Sequence, residues 1–190
     1  MKPENQRAVV VVEPEQPENT GFIARLASNF RYSLRIVDPG FNLSEARKTA
    51  SNAQDVLRDT RIYDSVEDAV RDLDYVVGTK PGRGSSIKEF DARENTSIMI
   101  GRESSGLSNS ELELCDAVVH IDAPGYESLN QSHAAGIVMH SFSPADKKGV
   151  EQGQKAVLSE LLDDELLEEI VMRANPSRDE VNRLIGKLKD

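Results

Sequence analysis

The sequence predicts an α/β protein: a doubly wound parallel sheet with helices on both faces, followed by a small helical extension. Two observations lead there. Between residues 8 and 142, short apolar runs alternate with helix-length amphipathic segments five times over. The last two repeats, from residues 98 and 117, each run from an apolar strand into a small-residue polar loop and then a helix. Open α/β sheets hold their ligands at such loops, beyond the carboxyl ends of parallel strands.

Taken in order, residues 9–12 are four consecutive valines ending at Glu13-Pro14, the pattern of a strand buried on both faces. The two prolines of EPEQPENTGF force a loop, and Asn19 or Thr20 is placed to cap the next helix. On that helix Phe22, Ile23, Leu26, Ala27 and Phe30 share one face, and Gly21, Arg25 and Ser28 the opposite one. Residues 33–37 form a second strand, closed by Asp38-Pro39-Gly40. Residues 44–58 read as one helical stretch, and Ser65-x-x-Asp68 opens a short helix as a capping box. Residues 74–77 return to strand, 78–84 form a flexible glycine-rich loop and 85–96 a polar connection. Residues 98–100 are the next strand, with Ser108-x-x-Glu111 capping a helix over 108–114. The strand 117–121 ends at the turn Asp122-Ala123-Pro124-Gly125, and the last helix of the domain runs from 128 to 142.

The main domain therefore spans 1–145 and the extension 146–190. In the extension, helices are expected over 154–162 and 164–174. A third, capped by Ser177-x-x-Glu180, carries Val181, Leu184, Ile185 and Leu188 on one face.

Composition narrows the function. No apolar run approaches a membrane span, and the polar start MKPENQR is unlike a signal peptide, which predicts a cytoplasmic protein without a membrane partner. Cys115 is the sole cysteine of the chain, so neither an internal disulfide nor a thiolate cluster can form. His120, His133 and His140 lack ligand spacing, and no metal is expected. The net charge of −10 is unevenly spread: residues 1–100 hold 14 Lys/Arg against 16 Asp/Glu, and 101–190 hold 9 against 17. The first half can carry a local basic patch for phosphates, or merely scattered solvated charges.

The loop from Gly101 to Gly106 has phosphate-loop spacing, but Leu107 stands where a nucleotide-triphosphate site needs lysine. Gly82-Arg83-Gly84 lacks the third glycine of a dinucleotide fingerprint. Neither a G-x-S-x-G elbow nor an H-E-x-x-H motif occurs. A nucleotide-dependent enzyme is thus disfavoured.

Three other motifs fall in order on the strand–loop–helix units. They are Asn19-x-Gly21-x-x-x-Arg25, Ile98-Met-Ile-Gly101-Arg-Glu103-x-x-Gly106-Leu107-Ser108 and Ser128-Leu129-Asn130-x-Ser132-x-Ala134. Together with Gly78-Thr79 they resemble the SpoU branch of the SPOUT methyltransferases over roughly residues 8–142. The resemblance implies a SPOUT-type sheet with a C-terminal trefoil knot, an exception to ordinary connection rules. It also implies a homodimer whose active site is completed across the interface, and S-adenosylmethionine as cofactor, held at Thr79, Gly101, Ile121, Leu129 and Ala134. Arg25 matches the family's catalytic arginine. Asn19 would orient it or the ribose, Ser128 and Asn130 would shape the transfer pocket, and Glu103 would anchor the loop or the arginine. Read from the residues alone, Asn19 and Ser128 can equally be helix caps and Glu103 a loop brace.

Within the branch the chain looks most like the enzymes that methylate the ribose of transfer RNA at nucleotide 32. Ribosomal RNA is the alternative substrate, and a cofactor-free knotted RNA-binding or assembly protein is the alternative from another class.

Overall fold

Every pairing among the described strands is parallel, and each paired strand is reached by a crossover connection rather than a hairpin. The structure is a computed structural model and describes residues 7–50, 53–93, 95–126, 128–143, 152–162 and 178–189. The strands are β1 (Ala8–Val12), β2 (Ser33–Val37), β3 (Arg61–Tyr63), β4 (Tyr75–Thr79), β5 (Ser85–Ser86), β6 (Thr96–Ile100) and β7 (Ala117–His120). They form one seven-stranded sheet in the order β3-β2-β1-β6-β4-β7-β5. Val9 pairs with Leu34 on one side and Ile98 on the other, and Gly78 pairs with both Met99 and Val118. The carboxyl ends of β4, β6 and β7 therefore lie side by side at one edge.

The valine run of β1 shows why the sheet needs helices on both faces. All five of its residues are fully buried. Val9 and Val11 belong to one core cluster and Ala8, Val10 and Val12 to the other, as alternation with a period of two demands. Ile98 and Ile100 likewise face away from Met99. The first cluster is covered by α1 (Pro17–Phe30) through Ile23, Ala24 and Ala27, and by α6 (Gln131–Phe142) through Ala135, Val138, Met139 and Phe142. The second is covered by α4 (Val66–Val70) and α5 (Asn109–Glu113) through Val66, Ala69 and Leu112. The short helices α2 (Arg47–Ala50) and α3 (Gln54–Asp59) complete the α1 side.

One buried cation interrupts this apolar interior. Arg35 is 3% exposed, yet its guanidinium donates to the Ala69 carbonyl (2.8 Å) and to the Asp72 carboxylate. A buried charge is tolerated only when paired and hydrogen-bonded. Arg35 in turn holds the Asp72 carboxyl below the usual range.

Several expectations change. The stretch 44–58 is two short helices rather than one. The polar connection contains β5, and β3 is an additional edge strand. Helix α1 begins earlier than a cap at Asn19 or Thr20 would set, with Pro17 in its first turn and Gln16 before it making no side-chain cap. Gly21 is buried rather than on an open face: a Cβ there would lie 2.0 Å from Thr49 Oγ1 and 2.4 Å from the Ala46 carbonyl oxygen. Phe22, expected on the buried face, is 46% exposed.

The chain divides into two compact units, Met1–Ser143 and Pro144–Asp190. In the second, α7 (Gln152–Leu162) and α8 (Arg178–Lys189) are described, with Leu158 and Val181 fully buried. The helix expected over 164–174 and the cap at Ser177 lie outside the described residues. No described helix is long and apolar enough to cross a membrane.

Candidate functional site

A cavity of about 230 Å³ opens at the carboxyl ends of β4, β6 and β7, where parallel sheets place their ligands. Three loops wall it. The first continues β4 from Thr79, whose hydroxyl donates to the Met99 carbonyl (3.3 Å). The second is the turn from Gly101 to Gly106, closed by the Gly106 N–H on the Arg102 carbonyl (2.9 Å). Both of its glycines are needed. A Cβ at Gly101 would stand 2.1 Å from the Gly106 carbonyl carbon, and Gly106 itself has φ +67°, a conformation that costs other residues energy.

The third wall is made by Ile121, Ser128, Leu129, Gln131 and Ala134, the last two in the first turn of α6. Asn130 caps that helix: its Oδ1 accepts from the N–H groups of Ser132 (2.9 Å) and His133 (3.3 Å) and from the Ser132 hydroxyl (2.7 Å). Ser128 is therefore not the cap. Gln131 reaches back to donate from Nε2 to the Gly101 carbonyl (2.8 Å), which fixes the amide's orientation because a carbonyl only accepts. Its Oε1 is buried and finds no protein partner among the described residues.

A line of hydrogen bonds leads from this cavity to α1. Asn130 Nδ2 donates to Asn19 Oδ1 (3.1 Å), and Asn19 Nδ2 donates to Glu103 Oε1 (3.0 Å). Glu103 also accepts from the backbone N–H of Glu15 (2.9 Å) and Gln16 (3.2 Å). The carboxylate thus occupies the start of α1, satisfying donors that the helix leaves open and matching its positive dipole end. Glu103 braces the loop and orders α1 in one arrangement. Asn19, buried inside the first turns of α1, links two loops rather than capping its own helix.

Arg102 pins the same loop from its other side. Its Nε donates to Glu13 (2.8 Å), and its two terminal nitrogens donate to Glu13, to Glu111 (2.9 and 3.1 Å) and to the Gly106 carbonyl (3.4 Å). Glu111 belongs to the α5 capping box, accepting from the Ser108 N–H (2.7 Å) while Ser108 Oγ accepts from the Glu111 N–H (3.3 Å). Burial alone would raise the Glu111 carboxyl; hydrogen bonds from Arg102 and Ser108 outweigh it and hold the group below its ordinary value.

Of the residues singled out from sequence, Thr79, Gly101, Ile121, Leu129 and Ala134 all line this cavity, as do Glu103 and Ser128. Asn19 and Asn130 join them through the hydrogen-bonded line. Arg25 stands apart: it is exposed on α1 and does not line the cavity of its own chain. Arg102, Lys80 and Gln131, to which the motifs assign no site role, also line the cavity. Spacing marks where a loop lies but not which of its variable positions turn inward. Only Glu111 carried a readable signal, through its capping box. Among the described residues no group of three His, Cys, Asp or Glu could hold a metal ion. Burial, with the nearby Asp116 and Glu111 charges, pushes the Cys115 thiol up to about 12, so it is no thiolate nucleophile near neutral pH.

Comparison with known proteins agrees with this geometry. Residues 6–140 match the model of the SpoU rRNA Methylase family. A curated relative, the tRNA (cytidine-2'-O-)-methyltransferase TrmJ of Methanocaldococcus jannaschii, is 32% identical over 152 residues, 71% of this chain and 66% of that protein. The tRNA (cytidine/uridine-2'-O-)-methyltransferase TrmJ of Klebsiella pneumoniae is 31% identical over 165 residues, 78% of this chain and 68% of that protein. The solved SpoU methyltransferase AviRb of Streptomyces viridochromogenes, in complex with the cofactor AdoMet, superposes with a TM-score of 0.64 at 26% identity, covering 74% of this chain and 60% of that one. The chain spans slightly less than two thirds of the length of the first of these relatives.

Proposed function

The chain belongs to the SpoU rRNA Methylase family, and from that premise we propose that it transfers a methyl group from S-adenosylmethionine to a ribose 2′-hydroxyl of transfer RNA, at nucleotide 32 of the anticodon loop. The observation that carries this reading is the joint placement of the three motif loops. Thr79, Gly101, Ile121, Leu129 and Ala134 wall one cavity, and the bonds from Asn130 through Asn19 to Glu103 tie that cavity to the helix bearing Arg25. The tRNA substrate is supported by the names of the relatives.

The lining suits such a cofactor. Ile100, Val119, Ile121 and Leu129 give apolar walls for a purine, and the missing side chain at Gly101 lets the Gly106 backbone close tightly against it to shape the wall. S-adenosylmethionine supplies the methyl group on a sulfonium, already an activated leaving group, so the protein has mainly to position the reactants and help the hydroxyl lose its proton. Arg25 cannot be the base, because its guanidinium stays protonated. It would hold the phosphate next to the target ribose, where a phosphate oxygen could take the hydroxyl proton while the methyl–sulfur bond breaks as the methyl–oxygen bond forms, leaving the thioether S-adenosylhomocysteine. Ser128 and Asn130 place the 2′-hydroxyl, with Asn130 fixed by its bond to Asn19.

Because Arg25 is outside its own chain's cavity, it serves the site of a second copy in a homodimer. The exposed apolar residues Phe22 (46%) on α1 and Ile137 (40%) on α6 give that interface a surface. Analytical ultracentrifugation showing only monomer at micromolar concentration would remove the dimer. The domain is assigned to 1–145, its segment 121–142 threaded as a trefoil knot. Gln131 and Asn130 bring that segment against the loop after β6 and against α1, the neighbours such a threading requires. An experimental chain trace without a crossing would discard it. Residues 146–190 form the helical extension, and the protein acts in the cytoplasm.

The test is incubation with labelled cofactor and either unmodified transfer RNA or ribosomal RNA. Label on ribosomal RNA alone would reassign the substrate. Absence of calorimetric heat with the cofactor would favour a knotted binding protein without catalysis.

A further inference from the structure

We propose that Lys80 holds the carboxylate at the amino-acid end of the cofactor, an assignment that rests on the S-adenosylmethionine reading of the cavity. Among the described residues, three side chains lining the cavity can carry positive charge: Lys80, Arg102 and His120. Arg102 has no N–H left to offer, since Glu13, Glu111 and Gly106 engage Nε and both terminal nitrogens. His120 faces the Arg83 carbonyl through Nδ1 (3.3 Å) and the Asp122 carboxylate through Nε2 (3.4 Å). Glu103, the acidic side chain on the wall, is consumed by α1 and Asn19.

Lys80 differs from Arg102, His120 and Glu103. Its ammonium has three donors, and one goes to the Leu107 carbonyl (2.5 Å). That bond draws the side chain along the Gly101 loop instead of leaving it free in solvent. Its backbone is fixed as well, by the Lys80 N–H on the Val119 carbonyl (3.0 Å). No carboxylate pairs with the ammonium among the described residues. A half-buried cation with two spare donors, held by a carbonyl at a ligand cavity, calls for an anionic acceptor. The purine and ribose of the cofactor are neutral and its sulfonium is positive. The carboxylate is the one anionic group it brings, so Lys80 fixes which end of the cofactor lies over the Gly101 loop.

Calorimetric titration separates this role from a structural one. S-adenosylhomocysteine keeps the amino-acid end, and 5′-methylthioadenosine lacks it. Lys80→Met is expected to weaken S-adenosylhomocysteine about 10-fold or more, the size of one charge-assisted hydrogen bond, and 5′-methylthioadenosine less than about 2-fold. Lys80→Arg is expected to recover most of the difference. Equal weakening of both ligands, or of neither, overturns the assignment. So does wild-type protein that binds the two with equal affinity, a comparison that needs no variant and leaves the cofactor site itself standing. Wild-type protein that binds neither overturns the cofactor reading and this inference with it.

Discussion

Replacing Arg102 by methionine keeps most of its aliphatic volume and removes the guanidinium bonds that fasten the Gly101 loop to Glu13 and to Glu111 of α5. The cost can be worked arm by arm. The Glu13 carboxylate is 44% exposed, so solvent takes over its hydrogen bonds and that arm is worth only ~0–1 kcal/mol. Glu111 is 11% exposed and the Arg102 side chain 20%. Breaking such a pair costs ~3–5 kcal/mol because the remaining charge is left buried. Glu111 keeps the Ser108 N–H, which places the loss near the lower end, and about 3–4 kcal/mol in all. For a chain of this length each kcal/mol moves the melting midpoint by roughly 2–4 °C, so a fall of about 6–16 °C is expected at pH 7. The pH dependence gives a second check. Glu111 is held below its ordinary value of 4.5 in the fold. Its contribution is therefore complete above about pH 4.5 and disappears as the pH falls through the lowered folded value. The gap between wild type and Arg102→Met should narrow as the pH falls through that lowered value. Thermal melts by circular dichroism at several pH values measure both effects. A midpoint shift under about 2 °C at pH 7, or a gap undiminished in acid, refutes the ionic account of this pin.

Other perturbations probe separate joints. Arg25→Ala should leave S-adenosylmethionine binding within about 2-fold, by calorimetry, since Arg25 is assigned to the RNA phosphate and not to the cofactor, while methyl transfer falls by a factor on the order of 10² or more; retained turnover removes it from the mechanism. Gly21→Ala forces a methyl group against the Ala46 carbonyl oxygen at 2.4 Å. Helix α2 must shift, and a loss of about 2–3 kcal/mol is expected in urea unfolding. Arg7→Ala removes one guanidinium that donates to the carbonyls of Phe30 (3.3 Å) and Phe142 (3.1 Å) and stacks on Tyr32 at 4.5 Å. Because the group closes the C-terminal ends of both α1 and α6, about 2 kcal/mol should be lost, with faster hydrogen exchange confined to those two ends.

How far the fold can be read from the sequence depends on where each element gets its stability. Strands β1, β2, β4, β6 and β7 are apolar runs bounded by turns, and their burial is written in their composition. Strand β5 is two serines, a strand only because Ser85 and Ser86 pair with Val119 and His120. Strand β3 has two largely exposed residues and pairs along β2 alone. Neither has a local signal. The start of α1 fails to show for a related reason. Its cap comes from Glu103, 88 positions from Glu15, while Pro17 supplies a first-turn φ that needs no N–H partner. The face of α1 is misassigned because the helix packs against α2 as well as the sheet, which buries Gly21 and frees Phe22. At the site, loops at strand ends are legible from glycine and serine spacing. The ion pairs of Arg102 and the direction of Lys80 depend on partners brought together by the sheet order, which no local pattern encodes.

The central claim is that this cavity and Arg25 together methylate a ribose of transfer RNA. Its most direct measurement is nucleoside mass spectrometry of unmodified transfer RNA incubated with the protein and S-adenosylmethionine, followed by mapping of the modified position. The account predicts a 2′-O-methylated nucleoside at position 32, absent with Arg25→Ala. Transfer RNA left unmethylated by protein that binds the cofactor would contradict it.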